Sequence, residues 1–401
     1  MILWRDPLLR FVVLYSALFS AFGFVSPFLP AFLASRGLAP EALGLALGAA
    51  TAVRLITGTI AGRLADRLQA FRAELMIFCL LAAAATLAYL PAYGFWTVAA
   101  LTVLHAAALA PLLALPDALS LANADPARSA TGKGFEYGWV RGAGSAAFIA
   151  GAIVAGYVVS HYELSAIIWL SAIGLLAAAI CALFVPPFPQ GPSTVAATKR
   201  SAWLVLLRQR AFVYVTVVAA LVLGSHALHD AFAVIRWTAA DISPAIIGLL
   251  WSESVAAEVV VFFLIGPTLL RVLGPTGALA IAAAAGVLRW VVMALTAEVV
   301  ILAMVQPLHG FTFALLHLAC MRIIAATVPP ALAGTAQAVY GLIGVGGATA
   351  LLTVFSGWLY GRFGADGFWA MAVLCSLAFP VIRLLQNALA ARDQSGQPEF
   401  R

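Results

Sequence analysis

Charge is almost absent from long stretches of this chain, and that limits its fold more than any other feature. Of its 401 residues, 64% are hydrophobic and only 9% are charged, against about 25% charged in a soluble domain. A spanning helix needs roughly 20 apolar residues. Such stretches recur at about 9–34, 41–61, 73–92, 95–122, 135–160, 164–185, 211–236, 245–270, 276–296, 299–326, 333–360 and 367–390. The runs are continuous and rich in Ala and Leu, not alternating, so a β-barrel is excluded. The expectation is an all-α membrane protein with twelve transmembrane helices. The first apolar run is too long for a cleaved signal and leads directly into a hairpin.

The chain also repeats itself. Ala39-Pro40-Glu41-Ala42-Leu43-Gly44-Leu45 returns as Ser243-Pro244-Ala245-Ile246-Ile247-Gly248-Leu249, an offset of about 204 residues. His105 returns as His309 at that offset, and Tyr137-Gly138 returns as Tyr340-Gly341 one residue short of it. Half-length self-similarity in an apolar chain predicts two pseudo-symmetric six-helix bundles with a binding site between them. The expected domains are 1–186 and 211–401, joined by a cytoplasmic linker at 187–210. That linker opens on Pro186-Pro187-Phe188-Pro189-Gln190-Gly191-Pro192-Ser193 and turns basic. Within it, Ser201–Arg210 reads as a short helix on the membrane surface.

An even number of spans puts both termini on one side. That side then carries Arg5, Arg10, Arg63, Arg67, Arg72, Arg128, Lys133, Lys199, Arg200, Arg208, Arg210, Arg271, Arg383, Arg392 and Arg401. The opposite side carries Arg36, Arg362 and Arg236. The bias places both termini in the cytoplasm. It also accounts for the net charge of +6 without nucleic acid. Cys79, Cys181, Cys320 and Cys375 lie singly in apolar runs, with no metal spacing and no disulfide role.

Ionised groups inside a bilayer are costly and face cavities or one another. Arg54, Asp117, Arg141, Asp230, Glu253, Glu258, Arg289 and Arg322 fall within spans, with His105, His226, His229, His309 and His317. Arg54 and Glu258 occupy equivalent places in the two halves with opposite charge, so the duplicated scaffold has become electrically asymmetric. Trp251, Ser254 and Glu258 share a face at i, i+3 and i+7, while Glu253 points elsewhere and suits a neighbouring helix. Span five aligns Tyr137, Arg141, Gly144, Ser145 and Phe148; the Arg141 fork suits a carboxylate or vicinal hydroxyls, or a salt bridge to Asp117 or Glu258. Span ten aligns His309, Thr312, Phe313 and Leu316. An acid kept from water can carry a proton near neutral pH, which nominates Glu258, although a structural ion pair would serve as well.

His226, His229 and Asp230, at i, i+3 and i+4, could bind a metal or line a polar cavity; no fourth ligand accompanies them. Glycines crowd span five (Gly138, Gly142, Gly144, Gly151, Gly156) and span eleven (Gly341, Gly344, Gly346, Gly347, Gly357, Gly361), for a sliding seam or for tight packing. No phosphate-binding loop or hydrolase motif is present, which excludes ATP hydrolysis and points away from an enzyme.

Gly62-Arg63-Leu64-Ala65-Asp66-Arg67 resembles the loop signature of the major facilitator superfamily, without its usual following Gly. In that family the loop latches the cytoplasmic side; the resemblance implies a gate motif of Gly62, Asp66 and Arg67, with Asp66 capping a helix and pairing with a base. Within the superfamily, Phe135-Glu136-Tyr137-Gly138-Trp139-Val140-Arg141, Gly286-Val287-Leu288-Arg289 and Leu308-His309-Gly310-Phe311 resemble the lactose-permease-like proton symporters. There the corresponding Arg contacts substrate, and the second Arg and the His serve coupling. Thr312 and Gln306 stand where that group has an acid and a Lys.

Leu115-Pro116-Asp117-Ala118-Leu119, Ala257-Glu258-Val259, Gly286 to Trp290, His317 to Arg322, and Phe355-Ser356-Gly357-Trp358-Leu359-Tyr360 are similar to the phenylpropionate permease branch. That implies uptake of an aromatic monocarboxylate with a proton; a sugar or nucleoside symporter, a drug exporter and a transporter-like sensor are the alternatives. The expected substrate contacts are Arg141, Trp251, Ser254, Glu258, His309 and Phe313. Glu258, Asp117, Arg289 and His309 are expected to couple protons, with Arg54, Asp230 and Arg322 completing a charge network. The expected protein is a monomer in the cytoplasmic (inner) membrane, needing only substrate, protons and lipid, with no cofactor, metal or catalytic residue.

Overall fold

A computed structural model describes residues 6–126, 134–189 and 202–394. Arg5, Arg128, Lys133, Lys199, Arg200, Arg401 and half of the linker fall outside these. Among the described residues there is helix and no strand. The α-helices are α1 Pro7–Val25, α2 Leu29–Ser35, α3 Pro40–Leu68, α4 Phe71–Ala88, α5 Phe95–Leu109, α6 Pro111–Ala124, α7 Tyr137–His161, α8 Ala166–Ala182 and α9 Ala202–Arg208. The second half continues with α10 Arg210–Gly224, α11 Ala227–Ala239, α12 Pro244–Val260, α13 Gly266–Leu295, α14 Val299–Val305, α15 Leu316–Thr327, α16 Ala333–Val339, α17 Ala348–Phe363 and α18 Gly367–Gln394.

Among the described residues, nine helical stretches are long and apolar enough to cross a membrane. Two are far longer than one crossing: Pro244–Leu295 has 52 residues and Pro330–Arg392 has 63. The first is broken at Gly274 (φ 67) ahead of Pro275, the second at Gly364 (φ 56). Both glycines hold a left-handed conformation that a side chain would strain. Ala166–Ala182 is a shorter apolar helix of 17 residues. Twelve crossing segments result, and the chain is an integral membrane protein with the all-α fold its apolar runs predict.

Local chemistry explains the helix ends. Asp6 caps α1, its carboxylate accepting from the Leu8 amide at 3.0 Å. Pro7, Pro40, Pro111 and Pro244 open their helices, where a missing N–H costs nothing. Pro111 also divides the fourth crossing into α5 and α6. A short helix does form within 201–210: it is α9, Ala202–Arg208.

Packing separates the described chain into two compact units: residues up to 189 together with 237–252, and 202–236 together with 253–394. In the first, α1 lies against α7 and α8, and α4 against α8. Phe11, Leu14, Tyr15 and Leu18 of α1 meet Leu75 and Cys79 of α4, Leu112, Leu115 and Leu119 of α6, and Leu175 and Ala178 of α8 in one core. Two span-five glycines are there for close approach. A Cβ on Gly151 would stand 2.7 Å from the Ser20 carbonyl, and one on Gly156 would stand 2.5 Å from that of Pro244. Beside the latter, the Ala245 amide donates to Ser160 Oγ at 2.9 Å. Gly138 and Gly142 have open space instead. In the second unit α13 and α10 pack on α18, around the buried Phe212, Phe232, Trp290, Phe368 and Met371.

Candidate functional site

In the first unit, two helices bring three polar groups to one carboxylate oxygen of a third. Tyr15 of α1 is fully buried, and its hydroxyl donates to Asp117 Oδ1. Tyr137, the first residue of α7, donates to the same oxygen at 2.7 Å. Arg141, one turn further along α7, places Nη1 3.5 Å from it. Ser120 Oγ lies 3.1 Å from the Tyr15 hydroxyl. The Arg141 guanidinium sits over the Phe19 ring at 5.3 Å, and Phe19 stacks on Tyr15. The side chains of Arg141 and Asp117 are 40% and 34% exposed, so their attraction is screened and weak. The site therefore offers a firmly held carboxylate and a loosely held guanidinium whose fork can take a second anion.

In the second unit the centre is Arg289, fully buried among three acceptors. Its Nη1 lies 3.0 Å from His309 Nδ1. Its Nη2 lies 3.3 Å from His229 Nε2 and donates to Gln306 Oε1 at 2.7 Å. A guanidinium only donates, so both ring nitrogens accept. Each imidazole, when neutral, then carries its hydrogen on the far nitrogen, toward a carboxylate. His309 Nε2 is 3.7 Å from Glu258 Oε2, and His229 Nδ1 is 3.2 Å from Asp230 Oδ1. Arg289 thus orients two histidine–carboxylate pairs. Both His229 nitrogens are engaged, one by Arg289 and one by Asp230.

Backbone features permit this. Gly310 packs against α12, where a Cβ would stand 2.6 Å from the Ala257 carbonyl; that approach brings His309 up to Glu258. Pro307 lies in a single tight turn, Gln306–Leu308, and Phe311–Leu315 forms a wide π turn. Such irregularities re-aim side chains within a helix. Ser254 donates to Gln306 Oε1 at 3.0 Å. Phe313 stacks on His309 at 5.6 Å between ring centroids and is itself 40% exposed. His226 is buried against Trp290 and His309.

The remaining expected residues are placed as follows. Trp251 falls in the first unit, and Ser254 and Glu258 in the second. Arg54 and Arg322 are exposed and make no ion pair among the described residues. Glu253 is half-buried and likewise unpaired. Gly62, Asp66 and Arg67 form the last turns of α3. Asp66 does not cap the helix that follows it: α4 begins after Ala70 with no side-chain cap. The turn is made instead by Gln69, left-handed at φ 51, whose amide donates to the Asp66 carbonyl at 2.7 Å. Tyr15 and Gln306 are not nominated by the sequence as site residues, and His229 only for a metal or a polar cavity lining. Tyr15 lies over a hundred positions from Asp117, and no periodicity within α1 marks it.

Residues 8–371 match the MFS_1 like family. The chain is 35% identical over 371 residues to the Escherichia coli (strain K12) protein described as a probable 3-phenylpropionic acid transporter, covering 90% of this chain and 93% of that one. It is 24% identical over 390 residues to the maltose permease of Geobacillus stearothermophilus, covering 97% and 96%. Among solved structures, the nucleoside transporter NupG aligns with a TM-score of 0.79 at 16% identity, covering 96% of this chain and 99% of that one. A bacterial homologue of the human lysosomal transporter Spinster, inward-facing and unoccupied, aligns with a TM-score of 0.75 at 15% identity, covering 96% and 98%. A fold of twelve apolar crossings, charge gathered inside it, and a family match spanning both halves together establish that this chain belongs to the MFS_1 like family of the major facilitator superfamily and is a membrane transporter, not an enzyme.

Proposed function

We propose that the chain imports an aromatic monocarboxylate of the 3-phenylpropionate type together with a proton. The observation that carries the reading is the buried Arg289 holding His309 toward Glu258, an acid–base pair built within the membrane-spanning region. Arg141 receives the substrate carboxylate through its loosely held fork, and Trp251, in the same unit, offers a ring face. Glu258, with His309, takes the proton; Arg289 sets the charge around that pair, and Asp117 sets it around Arg141. A monoanion moving with one proton adds no net charge to the carrier, so the loaded and empty forms can cross the same barriers. The E. coli relative's description as a phenylpropionic acid transporter supports the cargo class.

The proposed organisation is a monomer of two bundles, 1–186 and 211–401, joined by the 187–210 linker. It sits in the inner membrane with both termini cytoplasmic, as the basic residues require. Gly62, Asp66 and Arg67 serve as its cytoplasmic gate.

The test is uptake by purified protein in vesicles carrying an imposed proton gradient, over a panel of aromatic acids, sugars and nucleosides. Proton-driven accumulation of 3-phenylpropionate, uncompeted by maltose, is the expected result. The likeness to maltose permease favours a sugar as the second reading, and competition by maltose would select it.

A further inference from the structure

Arg54 is the one guanidinium deep in a crossing helix that the proposed cycle leaves unused. It is the midpoint of the 29-residue α3 and lies about 10 Å, at 1.5 Å per residue, inside the end of the apolar run at 41–61. It does not point with the exposed apolar stripe of that helix, Ile56, Ile60 and Leu64; Ile56 is about 160° round from it. It shares the stripe of Ala50, Gly58, Ala61 and Ala65, whose alanines are buried. Yet Arg54 itself is exposed and bonded to no carboxylate among the described residues.

The internal repeat sharpens the contrast. Glu258, its counterpart, is paired with His309. His105, the counterpart of His309, is buried edge-on to Tyr89, and its Nε2 has no hydrogen-bond partner. The nearest acid of this unit's site is also out of reach. Gly58 is level with Ala110, so Asp117 lies about 16 Å further along the parallel helix axes. An ionised side chain at this depth needs water and a counter-ion, and among the described residues no carboxylate pairs with it.

We propose that Arg54 is a second anion-binding station, which receives the carboxylate of an organic acid at a different level from Arg141. The inference rests on the reading of the cargo as an organic anion, and it makes Arg54 a filter for charge.

The test is phenylglyoxal modification of Arg54 in the purified full-length protein, followed by mass spectrometry of the Arg54 peptide. Benzoate and 3-phenylpropionate should slow the reaction at least about threefold, and neutral 3-phenylpropionamide should not. In direct binding, Arg54→Gln should weaken 3-phenylpropionate by about tenfold or more and leave the amide unchanged, while Arg54→Lys keeps much of the affinity because the charge remains. The proposal is overturned if Arg54 is not modified, if acid and amide protect equally, or if Arg54→Gln binds the acid as the parent does. Protection by benzoate in a protein that fails to take up 3-phenylpropionate would uphold the station and remove only the proposed cargo.

Discussion

Arg289 Nη1 stands 3.0 Å from His309 Nδ1, and that one contact decides which way the imidazole faces its acid. Because the guanidinium cannot accept, the neutral ring must present its Nε2 hydrogen to Glu258. A proton arriving on His309 would abolish the acceptor and set two cations against each other. Arg289→Lys keeps the charge but cannot serve His309, His229 and Gln306 at once. Uptake should fall by about tenfold or more, while Arg289→Gln should also unfold at lower temperature, since it takes the guanidinium donor from His309 Nδ1 and His229 Nε2 and leaves Gln306 Oε1 with Ser254 alone. Uptake and thermal unfolding of the two variants, side by side, check both statements.

Glu258→Gln removes the acid and keeps the shape. Uphill accumulation should be lost, while exchange of labelled substrate across the membrane continues. Normal accumulation by this variant would take Glu258 out of the coupling role.

Arg141→Lys replaces a planar fork with a point charge. Two parallel bonds to a carboxylate become one, so binding of 3-phenylpropionate should weaken by roughly tenfold, the equivalent of about 1.4 kcal/mol. Isothermal titration of the purified protein reads it directly, and unchanged affinity would sink the assignment.

The helix count and the repeat were legible because both are local: apolar length and self-similarity survive in a linear text. Arg141, Glu258 and His309 were legible because charge in an apolar run stands out. Gln306 and Tyr15 were not. An amide and a phenol are ordinary in such segments, and only the turn at Pro307 and the α1–α6 crossing give them partners.

The two tyrosines that hold Asp117 should act together. Both donate to Oδ1, and each such bond to a charged acceptor contributes about 1.5–3 kcal/mol. Tyr137→Phe leaves Tyr15 in place, so Asp117 keeps its position and substrate affinity changes little. Removing both frees the carboxylate to close on Arg141, which then competes with substrate. Affinity in the double variant should fall by more than the product of the single effects, and a double-mutant cycle on 3-phenylpropionate binding measures that excess.

Gly310 tests whether the close approach of two helices, and not merely the identity of the acid and the base, matters for coupling. A methyl group there would meet the Ala257 carbonyl at 2.6 Å, one residue before Glu258, and must push the span-ten backbone away. The His309–Glu258 distance, already 3.7 Å, would lengthen, while Arg289 remains free to follow His309. Gly310→Ala should therefore uncouple more than it unfolds. Accumulation driven by the proton gradient should drop several-fold against a loss of stability of about 1–3 kcal/mol, typical of an overpacked contact. Gly138→Ala is the control: nothing lies within 4 Å of its added methyl, and in the first turn of α7 Ala costs less backbone entropy than Gly. That variant should match or exceed the parent in thermal stability. If Gly310→Ala accumulates substrate as well as Gly138→Ala does, the tight α12 contact is packing alone and does not set the geometry of the proton site.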